Sequence, residues 1–327
     1  MPSKQGQSAI LGGLPTKTVD VPICSVFLFL FLLGAISHMT VFQLNRRKGY
    51  KFIPSVVIFG FCMSRIAANV VRIAWAVHPT NQDLAIAAQI LVAAGVILLF
   101  ILNLLFTQRM LRATHPAIGW ARPVSWAFKA AYILIVICII MVIIVVVQSF
   151  NTTNTNTLRI DRDIQLAGIT YMTVVSFLPL PLLVFIILFP SRLRRIESFG
   201  TGSWYSKLIL VTLTSVLMCL GASFRAATTW EPSRPATNPP WYVHKACFYV
   251  FNFTLEIIVV ATYLVGRIDL RFYVPDGSSK VRHYRPRNEM DNESEGRRDS
   301  DEELDGVLGD KEKRHPTNGS QMNGYHV

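Results

Sequence analysis

Seven runs of about twenty apolar residues, separated by short polar connections, divide the first 265 residues of the chain. The hydrocarbon core of a bilayer, about 30 Å thick, is crossed by roughly 20 residues of helix. The runs at 21–43, 54–77, 84–107, 130–148, 164–189, 207–228 and 246–265 all approach that length. None alternates with the period of two that a barrel strand requires, and a helix satisfies its own backbone hydrogen bonds segment by segment in lipid. The pattern predicts an all-α membrane protein, a seven-transmembrane helix bundle. Residues 1–20 form a short N-terminal segment, and residues 266–327 a tail. No fixed repeat period and no inverted repeat is evident.

The distribution of Lys and Arg orients the bundle. The first connection holds Arg46, Arg47, Lys48 and Lys51; the third holds Arg109, Arg112, Arg122 and Lys129; the fifth holds Arg192, Arg194, Arg195 and Lys207. Against these twelve, the other side carries six: Lys4, Lys17, Arg159, Arg162, Arg234 and Lys245. The N-terminus is expected outside and the tail in the cytoplasm. Cleavage of the first run as a signal peptide would leave six spans in the same orientation. That run exceeds the roughly 7–15 apolar residues of such a signal. Asp20 precedes it and Asn45-Arg46-Arg47-Lys48 follows, the charge order of an anchor inserted N-terminus first. Of the Asn-x-Ser/Thr sequences, Asn151-Thr152-Thr153 falls in an outer connection and is the expected glycosylation acceptor. Asn252-Phe253-Thr254 lies within the seventh run, and the sequences at Asn292 and Asn318 lie in the tail.

Composition agrees with lipid as the solvent: 51% of the residues are hydrophobic and 16% charged, against about 25% charged in soluble domains. The net charge of +12 would suggest nucleic acid in a soluble chain. From Gly277 onward, however, 9 basic residues face 11 acidic ones. The basic excess therefore sits in short loops, where topology needs it, and no nucleic-acid partner is expected. The tail from about residue 277 is polar, poor in aromatics and expected to be disordered. Its membrane-proximal cations, Arg267, Arg271, Lys280, Arg282, Arg285 and Arg287, suit the anionic lipids of the inner leaflet as well as simple solvation. The plasma membrane is the expected location. All five cysteines fall in apolar runs without a CxxC pair, so neither a disulfide scaffold nor a zinc site is expected.

Charges inside the runs carry more information. A charge at mid-bilayer costs on the order of 3 kcal/mol on insertion scales and normally faces the bundle interior. Arg65, Asn69 and Arg72 in the second run are spaced by four and three residues, which places them on one helical stripe. Gln89 and Asn103 lie in the third run, Arg225 near the outer end of the sixth, and Glu256 in the seventh. Arg65 and Glu256 both fall near the middle of their runs, so an ion pair between them is the least costly way to hide either. Arg72 and Arg225 lie nearer the outside. They either converge on an outward cavity, suited to an anionic or carbonyl-bearing ligand, or reach to headgroups as anchors. His38 reads as an interfacial residue, and Pro179 and Pro181 should kink the fifth helix. The tryptophans at 120, 126, 230 and 241 read as interfacial belts.

No P-loop, HExxH, GxSxG or intramembrane metal cluster is present, and the seventh run has no internal lysine for a retinal Schiff base. Neither enzymatic activity nor a cofactor is expected. The pieces Cys62-Met63-Ser64-Arg65, Arg72-Ile73-Ala74-Trp75-Ala76, Asn103-Leu104-Leu105-Phe106, and His115-Pro116 with Gly119-Trp120 resemble a fungal family of seven-helix membrane proteins of unknown activity, sometimes labelled G-protein-coupled-receptor-like. Phe224-Arg225-Ala226 with Trp230 fits the same family. The inner end of the third run reads Thr107-Gln108-Arg109, without the acidic-Arg-Tyr motif of rhodopsin-like receptors, and the seventh run lacks Asn-Pro-x-x-Tyr. The resemblance thus implies the seven-span, N-out arrangement and no residue roles.

Three functions stay open on the sequence. The first is a receptor-like protein sensing a small or lipid-like ligand, with a cytoplasmic G protein as its partner. The second is a transporter or lipid-translocating protein, and the third a scaffold without a ligand. The topology can be tested directly. A reporter fused after Val265 should be cytoplasmic, and an N-terminal tag should be reached on intact cells. A C-terminal tag labelled by antibody without permeabilisation would overturn the seven-span orientation.

Overall fold

The computed structural model describes residues 10–189, 199–232 and 240–274. Arg192, Arg194, Arg195, Arg234 and the tail cations and sequons beyond residue 274 lie outside the described residues. Among the described residues no strand occurs, and seven helices are long and apolar enough to cross a membrane: α1 (Asp20–Arg47), α2 (Ile53–Val77), α3 (Gln82–Thr114), α4 (Arg122–Asn151), α5 (Thr155–Leu188), α6 (Trp204–Trp230) and α7 (Lys245–Val265). Each contains or closely overlaps the apolar run that predicts it. Most extend beyond it because polar residues can continue a helix into the headgroup layer. Local chemistry sets several starts: the Asn81, Asn154 and Ser203 side chains accept from free backbone N–H groups of the first turns of α3, α5 and α6.

Lipid, rather than water, explains which faces remain outside. α4 buries only Phe128, Ile135, Cys138 and Val145 along 30 residues. Ile133, Val136, Ile140 and Ile144 stand exposed on it. An apolar surface this continuous is unfavourable in water and costs nothing against acyl chains. Trp126 lies toward one end of the bundle, and Trp230 and Trp241 lie toward the other, all exposed, where indole rings favour the membrane interface.

α1 packs along α2, α2 along α3, and α5 against both α4 and α6, with α7 closing onto α6 and α1. The base of the bundle extends further than the sequence suggests. A one-turn helix, α8 (Ile268–Arg271), follows α7, and Phe272 after it is fully buried, 4.6 Å from the ring of Phe106. Asn45 donates to Asp269 at 2.9 Å, Thr201 N–H donates to the Leu270 carbonyl at 2.8 Å, and Arg109 donates to the Phe272 carbonyl. The segment expected as a tail from residue 266 is therefore part of the bundle through Phe272. Arg267 pairs with Asp269 at 3.2 Å while its side chain stays 55% exposed.

Three helices are interrupted, each for a local reason. α5 breaks at Leu178, ahead of Pro179 and Pro181, which lack the N–H groups that would continue the ladder. α3 divides at Val96 without a proline. There the Arg65 guanidinium enters from α2 and takes the carbonyls of Leu91 and Val92 at 3.0 and 3.1 Å, so a side chain replaces part of the helical ladder. α7 carries a π-helical turn at Val250–Thr254, one residue short of the turn that bears Glu256. The turn presses the Phe251 carbonyl toward Gly221 of α6, where a Cβ would lie 3.0 Å from that oxygen.

Gly95 permits the closest of these approaches: a Cβ there would stand 2.4 Å from Ser64 Oγ and 3.0 Å from Arg65 Nη1. Gly95→Val should therefore lower stability by about 1–3 kcal/mol through overpacking. Gly60, in mid-α2 with nothing within 4 Å of its missing Cβ, provides the control. Gly60→Ala should be neutral or stabilise by about 0.5 kcal/mol. Thermal midpoints in detergent check both, and equal midpoints for Gly95→Val and the unmodified protein would refute the packing account.

Candidate functional site

The stripe on α2 is where the charges meet. Arg65 is fully buried and forks onto Glu256 of α7, with Nε 2.6 Å from Oε2 and Nη2 2.7 Å from Oε1. Its remaining donor, Nη1, satisfies the opened carbonyls of α3. The rings of Phe61 and Phe253 lie 5.3 and 5.7 Å from the guanidinium carbon. One side chain thereby ties three helices together, and every hydrogen bond it makes is shielded from water. Asn69, one turn along, turns back onto its own helix and donates to the Arg65 carbonyl at 2.8 Å.

Arg72 does not reach for headgroups. It is buried and paired with Asp20, the first residue of α1, at 2.9 Å. The same carboxylate accepts from the Tyr249 hydroxyl at 2.7 Å, from Thr16 N–H at 2.7 Å, and from Lys245. Arg72 also donates to the Gly12 carbonyl at 3.2 Å and stacks 4.2 Å from the Phe248 ring. Gly12 N–H in turn donates to the Val243 carbonyl at 3.0 Å. This clasp fastens the segment before α1 across the start of α7. Sequence reasoning uses Asp20 only as a marker of topology. Matching depths in the α1–α2 hairpin would have found the pair, since Asp20 opens one helix and Arg72 stands near the close of the other.

Arg225 of α6 is the third buried arginine, 9% exposed. Its Nη2 stands 3.6 Å from Glu256 Oε1, beyond hydrogen-bond length, and makes no hydrogen bond. Its Nε donates to the Gly221 carbonyl at 3.3 Å. Glu256 thus lies between two arginines, bonded to Arg65 and only electrostatically attracted to Arg225. Arg225 and Arg72 do converge on one cavity, of about 490 Å³, which Arg162 and Glu231 also line at the end of the bundle where the N-terminal segment lies. Asn252, fully buried, lines it too: its Nδ2 donates to the Phe248 carbonyl at 2.9 Å, and its Oδ1 has no partner. Arg225 and Asn252 thus both line this cavity, and each keeps one buried polar atom, Nη2 and Oδ1, without a hydrogen bond. Arg162 is held at the rim by the carbonyls of Glu231 and Thr229, at 3.1 and 3.4 Å.

Several polar residues have structural duties instead. Asn103 accepts from Thr214 at 2.9 Å and from Tyr263 at 2.5 Å, joining α3, α6 and α7 below the ion pair. His38 is 1% exposed and bonded to the Val260 carbonyl at 3.2 Å, so it is a core residue and not an interfacial one. Asn151 ends α4 with an exposed side chain turned back on the Val147 carbonyl at 2.9 Å. Among the described residues no group of His, Cys, Asp and Glu is arranged to hold a metal.

The shared carboxylate makes truncation asymmetric. Glu256→Gln strands two buried arginines and should cost roughly 3–5 kcal/mol. Arg65→Met leaves Glu256 facing Arg225 and should cost less. In the double variant one unpaired cation remains, so recovery should be partial. The thermal midpoints of the four-member cycle measure this coupling. Additive losses would refute it, as would an Arg65→Met variant weaker than Glu256→Gln.

The comparison with protein families matches residues 201–273 to a model described as a protein of unknown function, DUF3112. The matched segment contains α6, α7 and α8, hence Arg225, Glu256 and the Phe224–Trp230 stretch, and does not include α2. No curated protein and no solved structure matches the chain. The chain is thus similar, over the helices that carry Arg225 and Glu256, to a family whose function is not known.

Proposed function

We propose that the protein is a receptor-like, seven-span membrane protein whose outward-facing cavity binds a small anionic ligand. Arg225 carries this reading. Its guanidinium, one-tenth exposed, lines the cavity and has an Nη2 without a hydrogen bond, and its nearest carboxylate, that of Glu256, is committed to Arg65. The orientation follows from loop charge, which puts the cavity mouth outside and the basic face in the cytoplasm. With Arg72 neutralised by Asp20, Arg162 and Arg225 against Glu231 on the wall favour a negative ligand. On α7 the Arg65–Glu256 pair lies one turn deeper than the lining residue Asn252, with the Asn103 network beyond it, an arrangement suited to sensing more than to passage. An anion on Arg225 would draw it from Glu256 and so act on the π-helical turn beside that residue. A cytoplasmic partner, such as a G protein, would then read the change at the basic face. Interruptions in α3, α5 and α7 favour a second reading, transport of the same anion, because broken helices border the sites of many transporters.

Benzoate and its neutral analogue benzamide test the anion site. In phosphatidylcholine nanodiscs at constant ionic strength, benzoate should raise the thermal midpoint and benzamide should not. At ten times its dissociation constant the ligand contributes about 1.4 kcal/mol. Arg225→Gln should abolish the shift. Equal shifts with both compounds, or an undiminished shift in Arg225→Gln, would refute the reading. Ligand-dependent nucleotide exchange on an added G protein would favour the receptor, and ligand uptake into proteoliposomes the transporter.

A further inference from the structure

Arg225 also lines a second cavity, an apolar slot between α3, α4, α5 and α6. Ala93, Val142, Ile169 and Arg225 belong to the walls of both spaces, so the slot and the polar cavity adjoin at the guanidinium. Below that join the slot is lined by side chains such as Ala94, Phe100, Cys138 and Met172, with Gly168 widening it on α5. Its volume is about 90 Å³. A dry cavity of about 150 Å³ takes the six carbons of benzene, so the slot accommodates roughly three or four methylene-sized units.

We propose that the two spaces form one site for a single-chain carboxylate, its head on Arg225 and a tail of about three or four methylenes in the slot. This rests on the anion site proposed above and adds the class of ligand. The chemistry of the walls changes across the join. The upper cavity sets Arg72, Arg162 and Arg225 among apolar side chains, and apart from Arg225 the slot is lined by aliphatic, aromatic and small side chains. A small inorganic anion would use only the upper half, and an uncharged lipid only the lower. An amphiphilic anion uses both, and burial of its tail keeps water from the guanidinium, where a charge-assisted bond is then stronger.

A homologous series tests the proposal on the unmodified protein in phosphatidylcholine nanodiscs: acetate, butyrate, octanoate and hexadecanoate, with octanol as the uncharged control. Each methylene that enters the slot is worth up to about fourfold in affinity. Octanoate should therefore bind about 10- to 60-fold more tightly than acetate, with a plateau between octanoate and hexadecanoate. Ala94→Phe fills the slot and should bring octanoate down to the level of acetate while leaving acetate unchanged. If octanoate binds no better than acetate, the slot is occupied by a bilayer acyl chain or is not used; the amphiphile is overturned and the anion site stands. Affinity that keeps climbing to hexadecanoate would overturn the bounded slot. Octanol binding as tightly as octanoate, or no binding of any carboxylate, would overturn the anion site itself.

Discussion

A single carboxylate in a medium of low dielectric governs this bundle. Glu256 is fully buried, and so is Arg65, its forked partner. Each would be costly alone in the membrane, so the helices that carry them are bound to remain together. The consequences spread outward from the pair. Arg65 still has donors to satisfy after meeting Glu256, and they open α3 at Val96. The π-helical turn in α7 lies beside Glu256, and the second arginine, Arg225, is held near that carboxylate without a bond to it. Helix packing, helix distortion and the character of the cavity wall therefore share one origin.

The two clusters of charge differ in what they leave unsatisfied. Around Asp20 every acceptor is used, by Arg72, Tyr249, Thr16 and Lys245, and the result is a fastening. Around Glu256 the cations outnumber the carboxylate, and Arg225, which keeps a donor without a partner, lines a space large enough for a guest. Saturated networks stabilise one arrangement. An unsaturated one offers a foothold for something else.

The fold was legible because lipid imposes a simple rule: about twenty apolar residues per crossing, with cations marking one side. Arg65 with Glu256 was legible for a related reason, since two rare charges at equal depth have few places to go. Asp20 matches Arg72 in depth, yet an acid at the edge of an apolar run is ordinarily solvated, and its cover by the segment around Gly12 is visible only in the fold. The break at Val96 had no sequence signal either. No proline marks it, and its cause is a side chain from another helix. The burial of His38 and of the segment through Phe272 likewise depends on which helices become neighbours. Local pattern cannot supply that information.

The long sequence separation within the central pair bears on how the chain is made. Arg72 meets Asp20 across 52 residues, inside the first helical hairpin, so its charge can be matched soon after α2 emerges. Arg65 and Glu256 are 191 residues apart. At about 5–20 residues per second, the ribosome needs roughly 10–40 s to supply the missing carboxylate. Throughout that interval α2 holds an arginine at mid-depth with no counter-ion yet synthesised, kept in place by the apolar residues around it. The last helix to enter the membrane thus completes the electrostatics of the second.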